Sequence, residues 1–158
     1  LPDSRLSARR VGDLRFVLCA APHYIDRHGL PGTPEALARH HQVGFVLAST
    51  AKVRPLTLLR DGRKVELDVA ARFVTTDSAA ALSAGLDGLG IIVLAEFVAS
   101  HYRTSGALVQ VLPGWQCPSL PLHLVTPTKR KRAARVQAFM DWAHALLLRR
   151  LGPHIDAL

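Results

Sequence analysis

The run Thr75-Thr76-Asp77-Ser78 sets a carboxylate beside three hydroxyls, immediately ahead of the alanine-rich stretch 79–86. Two kinds of chemistry could use it. A nucleophilic serine needs a base and a strained elbow, yet Ser78 lacks the Gly-x-Ser-x-Gly surround of such a site. A helix start needs side-chain oxygens to accept its first free N–H groups, and Thr76, Asp77 or Ser78 can do that. The N–H groups left over could hold a ligand. Cys19 and Cys117, the two cysteines, have no evident base beside them and belong to no Cys-x-x-Cys pair. They read as buried thiols, with a disulfide between them left open.

The glycine run Gly85-Leu86-Asp87-Gly88-Leu89-Gly90 resembles a nucleotide loop in composition only. It follows a helix and precedes a strand, the reverse of the dinucleotide fingerprint, so it is expected to end the helix and enter a strand. The eight histidines lack the spacing of metal ligands. His23 and Asp26 share a helical face, but His28 lies about 140° from His23 at roughly 100° per residue, and His40 and His41 point apart. No metal and no cofactor are expected; the histidines read as surface or capping residues.

Apolar residues make up 49% of the 158 and charged residues 20%, which excludes a disordered chain. No apolar run reaches membrane-spanning length, and no apolar signal segment opens the sequence. A cytoplasmic protein without membrane contact is expected. The chain starts at Leu1 and its single methionine is Met140, so it is expected to be a piece of a longer protein. The net charge of +8 comes mostly from dispersed arginines. Lys129-Arg130-Lys131-Arg132 with Arg135 lacks interleaved aromatics and reads as a solvated helix entrance, with a phosphate or DNA-backbone contact as the alternative.

The elements that must position these residues follow from local signals. Residues 5–20 suggest two short strands around Gly12-Asp13. Pro22 and Gly29 bracket a short helix, and Thr33-Pro34 opens a second one. Residues 43–48 form a strand candidate. The segment 56–69 is a hairpin about Asp61-Gly62, with Val65, Leu67 and Val69 on its buried face. A helix over 79–86, an apolar strand over 91–94 expected to be covered on both faces of a parallel sheet, a helix over 96–102, and strands over 108–112 and 120–125 follow. A helix over 133–151 carries Val136, Phe139, Met140, Ala143 and Leu147 on one stripe, expected to pack on a core. The alternation predicts an α/β fold with a mixed sheet.

Taken in order, Val17-Leu18-Cys19-Ala20-Ala21-Pro22-His23-Tyr24, Thr33-Pro34-Glu35-Ala36-Leu37, Arg60-Asp61-Gly62, Gly88-Leu89-Gly90-Ile91, Glu96-Phe97-Val98 and Val109-Gln110-Val111-Leu112-Pro113-Gly114-Trp115 resemble LysR-type transcriptional regulators. That family carries a similar strand ending in Cys-Ala-Ser-Pro-x-Tyr. The likeness runs on through Leu120-Pro121-Leu122-His123-Leu124-Val125 and Ala134-Arg135-Val136-Gln137-Ala138-Phe139.

The resemblance implies a periplasmic-binding-protein type 2-like effector domain. It would comprise one complete Rossmann-like lobe plus the C-terminal strand and helix of the other lobe. Residues 1–12 would end lobe one and make the first crossover, 13–111 would form lobe two, and 112–158 would return to lobe one. Val11, Gly12, Leu112 and Pro113 would act as the hinge. A small-molecule effector would sit between the lobes against Thr75, Thr76, Asp77, Leu94 and Ala95. Thr76 stands where the family often has Asn, Ala95 where it often has Pro, and Ala21 where it usually has Ser, which suggests a smaller, less polar wall. Asp77 disfavours an effector carboxylate beside it, leaving a neutral or cationic group for that place. DNA would be bound only through a winged helix-turn-helix outside this chain, the domain would form homo-oligomers, and it would not be an enzyme. The alternative is a solute-binding protein of a transport system with the same fold.

Overall fold

The computed structural model describes residues 6–47, 51–68, 70–127 and 134–156. Its elements are β1 (Leu6–Ala20), α1 (Pro22–His28), β2 (Gln42–Leu47), β3 (Lys52–Val53), β4 (Leu56–Arg60), β5 (Arg63–Leu67), β6 (Ala71–Thr75), α2 (Ser78–Leu86), β7 (Ile92–Ala95), α3 (Glu96–Thr104), β8 (Val109–Val111), β9 (Cys117–Pro127), α4 (Ala134–Leu151) and β10 (Ile155–Asp156). Short 3-10 segments cover Pro34–Arg39 and Gly152–His154. The chain divides into two compact units. Unit 2 is Phe16–Pro118, and unit 1 combines the residues up to Arg15 with those from Ser119 onward.

Unit 2 is built on β6, β2, β7, β1 and β8. β2 and β6 run parallel with Phe45 opposite Thr75, and a parallel bridge joins Gln42 to Ile91 at the entry to β7. β7 then runs antiparallel to β1, Phe16 opposite Ala95 and Leu18 opposite Val93. On its other edge β1 pairs antiparallel with β8, Leu18 opposite Val111. The apolar strand at 91–94 is covered on both faces as expected, but its fullest ladder is antiparallel rather than parallel.

Alternation along these strands builds two cores. Leu18, Ala20 and Ile91 face one with Tyr24, Leu37, Leu56 and Leu58. Cys19, Ile92 and Leu94 face the other with Ala81, Ala84 and Ala99 from α2 and α3. Burying both faces of a sheet in this way is what its unbroken apolar runs require.

Local signals set most element ends. Pro22 opens α1, and Gly29 closes it at φ 80°, a left-handed value glycine adopts without a Cβ clash. The 56–69 hairpin turns at Asp61 (φ 48°) and Gly62 (φ 78°), the paired left-handed residues of a type I′ turn; Val69 lies outside the described residues. Asp77 caps α2, its carboxylate accepting the Ala80 N–H at 2.7 Å, a contact worth about 1 kcal/mol. Gly88 at φ 72° ends α2. There the Leu89 N–H reaches the Ala84 carbonyl and the Gly88 N–H the Gly85 carbonyl, a Schellman closure. The glycine run is a helix stop.

Two expectations are corrected here. The two short strands around Gly12-Asp13 are one continuous strand, because Asp13 and Leu14 pair with Asp156 and Ile155 and are held in a ladder instead of turning. The segment opened by Thr33 is a 3-10 turn, although Thr33 does accept the Ala36 N–H. Six residues form too few α-type bonds to offset helix nucleation.

In unit 1, β10 and β9 both pair with β1, and Arg9 on β1 holds Asp141 on α4 at 2.6 Å. The stripe expected to bury α4 splits: Met140 and Ala143 are buried, whereas Phe139 is 60% exposed and Val136 39%. The Phe139–Trp142 ring pair, 5.6 Å apart, stands on the exposed side of the helix, away from Met140 and Ala143. The basic run at 129–132 lies outside the described residues, and Arg135 is exposed.

Candidate functional site: the carboxyl ends of the parallel strands

Because β6, β2 and the start of β7 run the same way, their C-terminal ends share one edge of the unit 2 sheet. Ligands of open α/β sheets gather at such edges, beyond the carboxyl ends of the strands. Thr75, Thr76 and Asp77 leave β6 there, and Leu94 and Ala95 leave β7 there. Thr75 is half-buried, while Thr76 and Asp77 are exposed.

The five residues are not equally free to meet a ligand. Thr75 Oγ1 accepts the Asp77 N–H at 3.0 Å, and Asp77 is occupied as the α2 cap. The Thr76 hydroxyl has no hydrogen-bond partner among the described residues, which leaves it available. Leu94 packs beneath α2 and α3, so only its backbone stands at the edge. Ala95 is the N-cap residue of α3 and offers that helix no side-chain cap.

Three residues that sequence reasoning missed complete the edge. Past Val43, where β7 leaves β2, its place beside β2 is taken by β3 and Arg54. Val53 pairs with Val46, and the Arg54 N–H donates to the Phe45 carbonyl at 2.8 Å. The Arg54 guanidinium then lies over the Phe16 ring, 6.0 Å from its centre, and Phe16 is opposite Ala95. The row runs from Thr75 to Phe45, Arg54, Phe16 and Ala95. No motif marks Phe16, Phe45 or Arg54; only pairing between distant segments brings them together.

The expected hinge residues stand elsewhere. Val11 and Gly12 lie buried inside β1, in unit 1. Leu112 is buried with a left-handed φ of 51°, a strained value for a bulky residue, and Pro113 beside it is exposed.

A histidine expectation is also corrected: His40 is not at the surface but 6% exposed. Its Nδ1 lies 3.3 Å from the Tyr24 hydroxyl, which also accepts the His41 N–H at 3.0 Å. The His28 ring sits 4.5 Å from that of Tyr24. Burial, then the nearby His28 and His41, push the His40 pKa below its ordinary value. Among the described residues no three His, Cys, Asp or Glu gather closely enough to hold a metal ion.

Both cysteines are buried and unbridged. Burial raises the Cys19 pKa to about 11 and that of Cys117 to about 12, so neither supplies a thiolate near neutrality. Ellman's reagent is expected to leave both thiols unmodified in the native protein at pH 8 and to label both in guanidinium. Rapid labelling of the folded protein would contradict this burial.

Among the described residues no helix is long and apolar enough to cross a membrane. Comparison with known proteins agrees with the architecture. The family model described as LysR substrate binding domain matches residues 1–147. The chain is 33% identical over 153 residues to YhjC, an uncharacterized HTH-type transcriptional regulator of Escherichia coli (strain K12), covering 90% of this chain and 48% of that protein. A full-length variant of AphB superposes with a TM-score of 0.80 at 26% identity, over 94% of this chain and 50% of that one. The regulatory domain of CrgA, a LysR-type transcriptional regulator from Neisseria meningitidis, superposes with a TM-score of 0.77 at 26% identity, over 93% and 71%. The chain thus spans about half the length of the full-length relatives it matches. These relatives are regulators rather than enzymes, and a transport solute-binding role is not favoured. With its mixed α/β architecture and a family match over nearly its whole length, the chain belongs to the LysR substrate-binding domain family.

Proposed function

We propose that this domain senses a small-molecule effector within a cytoplasmic, DNA-binding LysR-type transcriptional regulator. The observation that carries the reading is the shared edge along which Thr75, Thr76, Asp77 and Ala95 stand at the carboxyl ends of parallel strands. The unpartnered Thr76 hydroxyl supplies a polar contact there, and Phe16 and Phe45 supply apolar surface. Val11, Gly12, Leu112 and Pro113 serve as the hinge about which effector binding changes the domain; the strained backbone at Leu112 supports that role. A shift between two conformations requires an effector that binds one of them better. DNA is contacted through a separate helix-turn-helix.

A thermal-shift screen of small metabolites on the full-length protein, followed by calorimetry, tests the site. Thr76→Val is expected to weaken binding of the selected compound about tenfold, or about 1.4 kcal/mol, without lowering the melting temperature. Thr75→Val is expected to weaken it as well, with some loss of stability because Thr75 also holds the Asp77 N–H. Unchanged affinity in both variants would remove the assignment.

The same protein is proposed to self-associate, as a homodimer, through α4. Phe139 and Trp142 expose 60% and 59% of their surface, and adjacent exposed aromatics mark interaction surfaces. Phe139→Asp combined with Trp142→Asp is expected to shift the sedimentation coefficient from dimer to monomer. An unaltered coefficient would place the interface elsewhere.

A further inference from the structure

Arg54 is half-buried and faces no carboxylate within ion-pair distance among the described residues. Three other arginines of unit 2 have carboxylate partners: Arg63 with Glu35 at 3.0 Å, Arg103 with Glu96 at 2.5 Å and Arg60 with Asp61 at 3.5 Å. A guanidinium drawn partly out of water without an acidic partner keeps its attraction for an anion. Arg54 is also held in place. Its backbone N–H is tied to Phe45, and its head lies over the Phe16 ring, a stacked position that fixes the donor fork while leaving its edge open. Both anchoring residues sit in the row that ends at Thr75 and Ala95.

We propose that Arg54 selects the charge of the effector, and that the effector is a small organic carboxylate whose oxygens the Arg54 guanidinium receives. The proposal rests on the sensing role above and adds the ligand's chemical class. It also assigns an orientation. Asp77 at the α2 start repels an anion, so the carboxylate lies at Arg54 in the middle of the row, and the uncharged or cationic part of the molecule extends toward Thr76 and Asp77. Phe45, between Arg54 and Thr75, and Phe16 beneath the guanidinium favour an apolar or aromatic body.

Calorimetry of the full-length protein with matched probes tests this: benzoate against benzamide and benzylamine, and succinate against succinamide. At least one carboxylate is expected to bind ten-fold or more tightly than its amide. Arg54→Met and Arg54→Gln are expected to reduce carboxylate affinity to that of the amide, and Arg54→Lys to restore part of it. Amide affinity should stay the same in all three variants, which separates loss of charge from a packing defect. Equal binding of acids and amides overturns the proposal, as does carboxylate binding that survives both Arg54→Met and Arg54→Gln. Binding of amides or benzylamine without the acids overturns the carboxylate assignment while leaving the sensing role in place. Binding of none of these probes overturns the carboxylate assignment, and the metabolite screen then decides the sensing role separately.

Discussion

Gly90→Val is expected to leave the domain unfolded, and Gly90→Ala to lower its stability by about 2–3 kcal/mol. A Cβ at Gly90 would stand 2.5 Å from the His41 carbonyl oxygen and 2.9 Å from its carbon. Those atoms are backbone and cannot rotate away. The same carbonyl accepts the Ile91 N–H at 2.8 Å, and the Ile91 carbonyl accepts the Val43 N–H at 2.9 Å. Pushing the chains apart therefore breaks the junction of β2 and β7 that aligns the candidate site. Since a domain is stable by only about 5–15 kcal/mol, the branched valine is expected to exceed what it tolerates. Gly32→Ala is the matched control, because nothing lies within 4 Å of its added Cβ. Urea denaturation measures all three; a Gly90→Ala midpoint equal to that of Gly32→Ala would refute the close approach.

Tyr24→Ala is expected to cost about 3–5 kcal/mol. The ring is 1% exposed and packs with Leu18, Leu37 and Leu58, so its removal opens a cavity. Tyr24→Phe keeps the packing and strands the His41 N–H, for a smaller loss of about 1–3 kcal/mol. The same group makes stability depend on pH. His40 titrates below its ordinary value of 6.5, with His28, His41 and Tyr24 around it and Arg72 near Tyr24. The unfolded chain binds a proton more readily than the fold does. Stability from His40 is therefore complete above pH 6.5 and is lost as pH falls through the lowered folded value. Between pH 7.5 and 5.5 the urea midpoint should drop more in the wild type than in His40→Gln. Equal slopes in the two proteins would show that His40 contributes nothing to the acid response.

Much of this was legible in the residues alone because the signals are short-ranged. Pro22 and Gly29, Asp61-Gly62, and Asp77 with Gly88 each act within one turn of chain, and their backbone preferences or caps place α1, the hairpin and α2 nearly where they stand. The order of motifs from Cys19 to Phe139 pointed to the family for a related reason: each motif is one of these local solutions, and their sequence of spacings specifies the fold. The limits were equally physical. Gly12-Asp13 suggests a turn until Asp156 and Ile155 arrive to extend the strand. His40 resembles a surface residue until Tyr24 and Leu37 close over the same core.

The sequence by itself determined the element types, the caps and turns, the two-faced burial of 91–94 and the family. It also named Thr75, Thr76, Asp77, Leu94 and Ala95, through resemblance. Tertiary structure alone decided that these residues share a sheet edge, that Leu94 turns its side chain into the core, and that α4 leaves Phe139 exposed. It also set Arg54 over Phe16. Such outcomes depend on which distant strands pair and which faces find cover. Hydrogen-bond ladders and apolar contacts between remote segments settle both, and no local periodicity encodes them.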